Sequence, residues 1–183
     1  MRYLFQTFVM LMTAFAFAAP ISSVAAEPMS LAVVDFQRLM ADSKAGKDIQ
    51  AQLEIKKSAF LADISKEEQK LRDDEKALSS QRGTLSQEEF AKKAKEFESV
   101  LAESRRTAQE RKKNLEEAAG KALQKLKDEI HKVVKGISEE KKYDVVLNSQ
   151  NVVISNKSFD ITDDALARLD KNITQIPLET AHN

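Results

Sequence analysis

The chain has no cysteine and no tryptophan among its 183 residues, and only three prolines and four glycines. Without cysteine no disulfide can staple a small fold, so an oxidising compartment is tolerated but contributes nothing to stability. Between Lys47 and Lys142 there is no proline, and Gly83, Gly120 and Gly136 are the only glycines. Charge of one sign is missing as well: 29 basic side chains face 29 acidic ones, and binding nucleic-acid phosphates would need a basic excess. The glycines are isolated and none sits at a strand-to-helix turn, so there is no phosphate loop or dinucleotide fingerprint and no ATP-driven mechanism is expected. His131 and His182 have no partner at ligand spacing, and the many carboxylates lie on helical pattern open to water, where nothing would perturb them for acid–base work. No catalytic residue, metal ligand or cofactor is therefore expected.

What is present begins with an export signal. Arg2 supplies a positive start, an apolar run extends from about Phe8 to Ala19, and Val24-Ala25-Ala26 offers the small residues of a signal-peptidase site. Pro20 closes a run shorter than the ~20 apolar residues that a membrane span needs. Cleavage is expected between Ala26 and Glu27, with export of the mature chain.

The stretch free of proline reads as a rod. Ser79-Ser80-Gln81-Arg82-Gly83-Thr84 breaks it, with Gly83 expected at the position just past a helix C-terminus, and Ser86-Gln87-Glu88-Glu89 restarts it as a capping box. The arm is thus a hairpin over residues 47–140 with its tip near 80–86. In the second half Phe90, Ala94, Phe97, Leu101, Ser104, Ala108, Arg111, Leu115, Ala118 and Ala122 follow an unbroken 4-3 spacing, and the first half answers with Leu53, Phe60, Ile64, Leu71 and Leu78. Small and polar residues fill most of the second-half seam, so the arms should be thin and compliant. Lys92, Glu96, Glu103, Arg106, Glu110, Lys113 and Glu117 stand three or four apart along one stripe and predict a ladder of helix-stabilising ion pairs. A solvated, self-paired face is the first reading of this charge run, and an anion site on its basic band is the second. The residues open to contact with a partner are Arg105, Arg106, Lys112 and Lys113 for charge, and Phe60, Phe90 and Phe97 for apolar surface.

Either side of the arm lie short β-branched runs, Leu31-Ala-Val-Val-Asp-Phe36 and Tyr143-Asp-Val-Val-Leu147, which read as strands that must meet in space. From about 119 to 140 the apolar face widens through Leu123, Leu126, Ile130, Val133, Val134 and Ile137, so this part should enter a body made of residues 27–46 and 141–176. Ser149-Gln150-Asn151 predicts a β-hairpin between Val145-Val146-Leu147 and Val152-Val153-Ile154, and Thr162 is expected to cap a last helix ending near Ile173. Residues 177–183 are expected to be a flexible tail. The fold class is α+β, mostly α: a long antiparallel coiled-coil hairpin on a small β body. Three short strands cannot make a stable sheet alone, so oligomerisation should complete the body.

This order of features, with Lys44-Ala-Gly-Lys47 opening the helical hairpin and Asp160-Ile161-Thr162-Asp163 preceding the final helix, resembles the Skp/OmpH family of periplasmic chaperones over essentially the whole mature chain. The resemblance implies a jellyfish-like homotrimer, with a barrel-like body and three arms. It also implies an ATP-independent holdase that carries unfolded outer-membrane proteins to the outer membrane and prevents their aggregation. It further implies contact with lipopolysaccharide or the membrane surface through basic arm residues, for which Arg105 and Arg106 form the only adjacent arginine pair. The alternative to a holdase is a structural coiled-coil spacer or adaptor of the cell envelope.

Overall fold

The computed structural model describes residues 28–179. The expected signal segment, with its cleavage point at Ala26 and Glu27, and residues 180–183 lie outside the described residues.

Strand β1 (Leu31–Val34) leads directly into helix α1 (Phe36–Asp42). Asp35 makes this possible: its carboxylate accepts from the Arg38 N–H at 2.9 Å and so caps the helix that begins one residue later. α1 ends at Ser43, which also starts helix α2 (Lys44–Ser80) by accepting from the Gly46 N–H at 3.1 Å. The corner is so tight that a Cβ at position 46 would stand 2.0 Å from the Met40 carbonyl oxygen. Gly46 is therefore required by close approach and not by backbone conformation. Helix α1 is not expected from the sequence pattern, which runs from the first strand straight to the arm.

A single 3₁₀ turn at Gln81–Gly83 makes the tip, and helix α3 (Gln87–Lys141) returns. The capping box is present: Ser86 Oγ accepts from the Glu89 N–H at 3.3 Å, while Glu89 accepts from the Ser86 N–H at 3.1 Å. Gly83, however, does not adopt the left-handed conformation expected of it. The 3₁₀ turn tightens the helix end instead, with Thr84 and Leu85 N–H groups both bonding to the Gln81 carbonyl. The left-handed residue among those described is Lys142 (φ 58°), which ends α3 and turns it into the body.

Strand β2 (Val145–Asn148) pairs in parallel with β1, Leu31 opposite Val145 and Val34 opposite Asn148. Ser30 and Asp144 fasten the start of the pair, through a Ser30 N–H to Asp144 Oδ2 bond of 2.7 Å and an Asp144 N–H to Ser30 carbonyl bond of 2.8 Å. On the other side of β1, Val33 forms an isolated bridge with Asp160. The expected β-hairpin does not form: β2 is followed by a 3₁₀ turn at Ser149–Asn151, and Val152-Val153-Ile154 runs on without a strand partner. Val153 is 98% exposed and Ile154 89%.

Helix α4 (Thr162–Asn172) closes the body. Thr162 is its first residue and not its cap, because its buried hydroxyl accepts from the Asp35 N–H at 2.8 Å. Asp160 takes over part of the cap by accepting from the Thr162 N–H at 2.8 Å, and the Thr162 hydrogen bonds hold its carboxyl below the usual range. The core gathers Ala32 and Val34 of β1, Leu39 of α1, Ala45 and Ile49 of α2, Ala118 to Ile137 of α3, and Ala165 and Leu169 of α4. On α3 the buried stripe is Ala118, Ala122, Leu126, Ile130, Val133 and Ile137; Leu123, expected within it, is exposed. The chain after α4 stays on the body through 179, with Ile176 and Leu178 buried, so the expected free tail from 177 is docked at its start.

Candidate functional site

Within the arm no residue from 50 to 117 is buried. The seam positions are half-buried, as their spacing predicts: Leu53, Phe60, Ile64, Leu71 and Leu78 on α2, and Phe90, Ala94, Phe97, Leu101, Ser104, Ala108 and Leu115 on α3. Small side chains explain the incomplete closure. Ser104 and Ala108 cannot fill the space opposite Ile64 and Glu67, and the shortfall leaves one groove of about 750 Å³ and another of about 440 Å³ flanking the same stretch of seam. The walls mix apolar groups (Ile64, Val100, Leu101) with charge of both signs (Lys66, Glu67, Glu103, Arg105).

Arg111 occupies a seam position but is exposed. Its guanidinium reaches across to Asp63 Oδ2 at 2.7 Å and lies over the Phe60 ring at 5.8 Å. That bond holds the Asp63 carboxyl below its ordinary value. A second cation covers a second phenyl ring at the tip, where Arg82 stands 6.0 Å from the centre of Phe90, and Lys93 donates to Gln81 at 2.6 Å. Phe60, Phe90 and Phe97 are therefore spaced along the arm as half-covered seam residues and do not converge on one patch.

The basic band is likewise dispersed, as successive residues of a helix point about 100° apart. Arg106 sits in the ladder, donating to Glu103 at 2.6 and 3.0 Å and to Glu110 at 2.8 Å, which lowers the Glu103 carboxyl and raises the guanidinium. Lys113 pairs with Glu117 and Lys112 with Glu116. The expected Lys92–Glu96 and Glu110–Lys113 pairs are not formed; Glu110 is engaged by Arg106 instead. Arg105, which lines the smaller groove, makes no ion pair among the described residues. Each exposed pair adds at most a few tenths of a kcal/mol, so the ladder keeps the helix helical without consuming the arm's charge.

A second open surface lies on the body. Met29, Leu31, Leu147, Val153, Ile154 and Phe159 are all exposed, and among the described residues no strand lies beside the outer edge of β2. Among the described residues no group of His, Asp and Glu could hold a metal ion, and no helix is long and apolar enough to cross a membrane.

A long two-helix arm rising from a small body with an incomplete parallel sheet defines the class of protein. The model of the family described as outer membrane protein (OmpH-like) matches residues 30–169, and the chain belongs to that family. Its fold is similar to the crystal structure of a proposed outer membrane chaperone (OmpH-like) from Caulobacter crescentus CB15, with a TM-score of 0.78 and 24% identity, covering 85% of this chain and 92% of that one. No curated protein matches the chain.

Proposed function

We infer that this chain is an ATP-independent holdase of the periplasm, which binds unfolded outer-membrane β-barrel proteins and keeps them from aggregating. The observation that carries the reading is the arm itself: a long surface without a buried residue, whose grooves mix small apolar areas with both signs of charge. Such a surface binds many sequences weakly and releases them without fuel, whereas a shaped pocket would select one. Family membership and the fold shared with an OmpH-like protein support the same reading.

The working form is a homotrimer. Val153 and Ile154 are almost wholly exposed in a single chain, β2 has β1 as its one strand neighbour among the described residues, and a body of this size gains its missing sheet and cover from further copies. Three arms on one base enclose a space in which a client is shielded. Export through the cleaved signal at Ala26 and Glu27 places the trimer between the two membranes, and Arg105, unpaired and beside a groove, is the best placed of the basic candidates to meet acidic clients or lipopolysaccharide.

The test combines size and activity in nucleotide-free buffer. The mature protein should sediment as a trimer and suppress aggregation of a urea-diluted outer-membrane β-barrel protein. The double substitution Val153→Asp and Ile154→Asp should leave the helical content of the chain intact and yield monomers that no longer protect. Failure of the trimer to suppress aggregation would leave the envelope-spacer reading in its place.

A further inference from the structure

The segment after α4 is held by an arrangement that reads main chain. Ile176 donates its N–H to Asp48 Oδ2 at 3.3 Å, and its carbonyl accepts from Gln52 Nε2 at 3.0 Å. Leu178 donates its N–H to Gln52 Oε1 at 3.0 Å. Asp48 and Gln52 stand one helical turn apart on α2 and are tied to each other at 2.6 Å, so they present one face. The donor and acceptor roles leave Gln52 no alternative orientation, since only its amide nitrogen can serve a carbonyl and only its oxygen an N–H. Ile176 and Leu178 are buried while Pro177 between them is exposed, the alternation of an extended chain.

Two properties of this contact point beyond a structural role. All three hydrogen bonds to the segment involve backbone groups, so they do not depend on its sequence. The apolar requirement falls on two residues separated by one, which is the pattern of a half-buried β-strand, and strands of membrane β-barrels alternate in this way.

We propose that the Asp48–Gln52 face at the arm root is a receptor for an extended segment of unfolded polypeptide with apolar residues at alternate positions, and that the chain's own residues 173–179 fill it until such a segment displaces them. The identity of the occupant as a client rests on the holdase reading; the exchange itself does not. An intramolecular occupant competes at high effective concentration, so displacing it takes a segment that is itself concentrated, either as a client gathered between the arms or as a peptide in large excess. The slot would thus add a strand-reading contact at the base to the dispersed contacts above it.

Hydrogen exchange of the full mature protein tests this directly. With a saturating ten-residue peptide of alternating valine and threonine, the amides of Ile176 and Leu178 should exchange about tenfold faster, while Ala165 and Leu169 of α4 keep their protection. A peptide of the same composition with the valines in one block should have no such effect. Gln52→Leu, which keeps the bulk and loses two of the backbone contacts, should abolish binding of a fluorescent alternating peptide. Ile176→Ser with Leu178→Ser should strengthen that binding by emptying the slot. Strap amides that open only together with Leu169, or a serine variant that binds no more peptide than the parent, would overturn the proposal. Suppression of aggregation without strap displacement sinks the slot and leaves the holdase standing, and displacement without suppression sinks the holdase and leaves the slot.

Discussion

Helix α3 passes through two environments without a break. From Gln87 to Glu117 it has no buried residue, and from Ala118 to Ile137 it has six. Backbone geometry is the same in both halves, so the difference lies in what faces the helix. The arm half meets a single partner helix across a seam of alanine, serine and scattered large residues, while the body half meets β1, α1, α2 and α4 together. Helical hydrogen bonds and capping therefore make the arm a rod, and packing makes the body a core. The two regions should respond differently to the same substitution.

The largest effect should come from the core. Leu126 and Ile130 are fully buried, and replacing either with alanine should cost about 2–5 kcal/mol, through lost transfer energy and the cavity left behind. Leu101→Ala on the half-buried arm seam should cost well under half as much in the same urea titration followed by circular dichroism. Equal losses would mean that the arm packs as tightly as the body and would erase the distinction.

Glycine sharpens the comparison at the next level. Gly46→Ala puts a Cβ 2.0 Å from the Met40 carbonyl, and forcing the α1–α2 corner open should cost about 1–3 kcal/mol. Gly136, although on the body half of α3, has nothing within 4 Å of the position a Cβ would take. Gly136→Ala should accordingly raise stability by about 0.5–1 kcal/mol through helix propensity alone. Thermal melts of the two variants should move in opposite directions.

The smallest effects are electrostatic. Bonds from Arg111, Arg106 and Arg168 hold the Asp63, Glu103 and Glu140 carboxyls below their ordinary values. A depressed carboxyl favours the charged form in the folded state. Its contribution is therefore present above the unfolded values of 3.8 and 4.5, and is lost as pH falls through the folded value. Asp63 is the member of this set that ties the two arm helices to each other. Taking the protein from about pH 5 to about pH 3 should widen the separation between spin labels on Lys57→Cys and Lys113→Cys, which a cysteine-free chain accommodates readily. Asp63→Asn should start wider and respond less to acid. An unchanged separation would show that the seam residues, and not the ion pair, set the distance between the arms.

Much of this architecture was legible in the residues because it is local. The seam from Leu53 to Leu78 and from Phe90 to Leu115 follows from a helical period, and the Ser86/Glu89 box from two side chains reaching their own backbone. A pattern that repeats every turn, or a cap that closes within four residues, needs no distant partner to be read. The docked strap, the Asp63–Arg111 tie and the failure of the 145–154 hairpin were not legible in this way. In each, the deciding partner lies far off in sequence or is absent from the single chain. Val152-Val153-Ile154 has the composition of a strand, yet composition cannot supply the neighbour that a strand requires.

The sequence by itself determined that this protein is a long, weakly seamed helical hairpin on a small mixed body, because periodicity, capping and the lack of proline act through near neighbours. Only the tertiary structure decided that β1 and β2 run parallel, that Gly46 must have no side chain, that Thr162 serves Asp35 and not its own helix, and that Asp48 and Gln52 hold the backbone of residues 176–178. Those outcomes depend on which groups, distant in the chain, come within a few ångströms of each other. That proximity is set by the packing of the whole body.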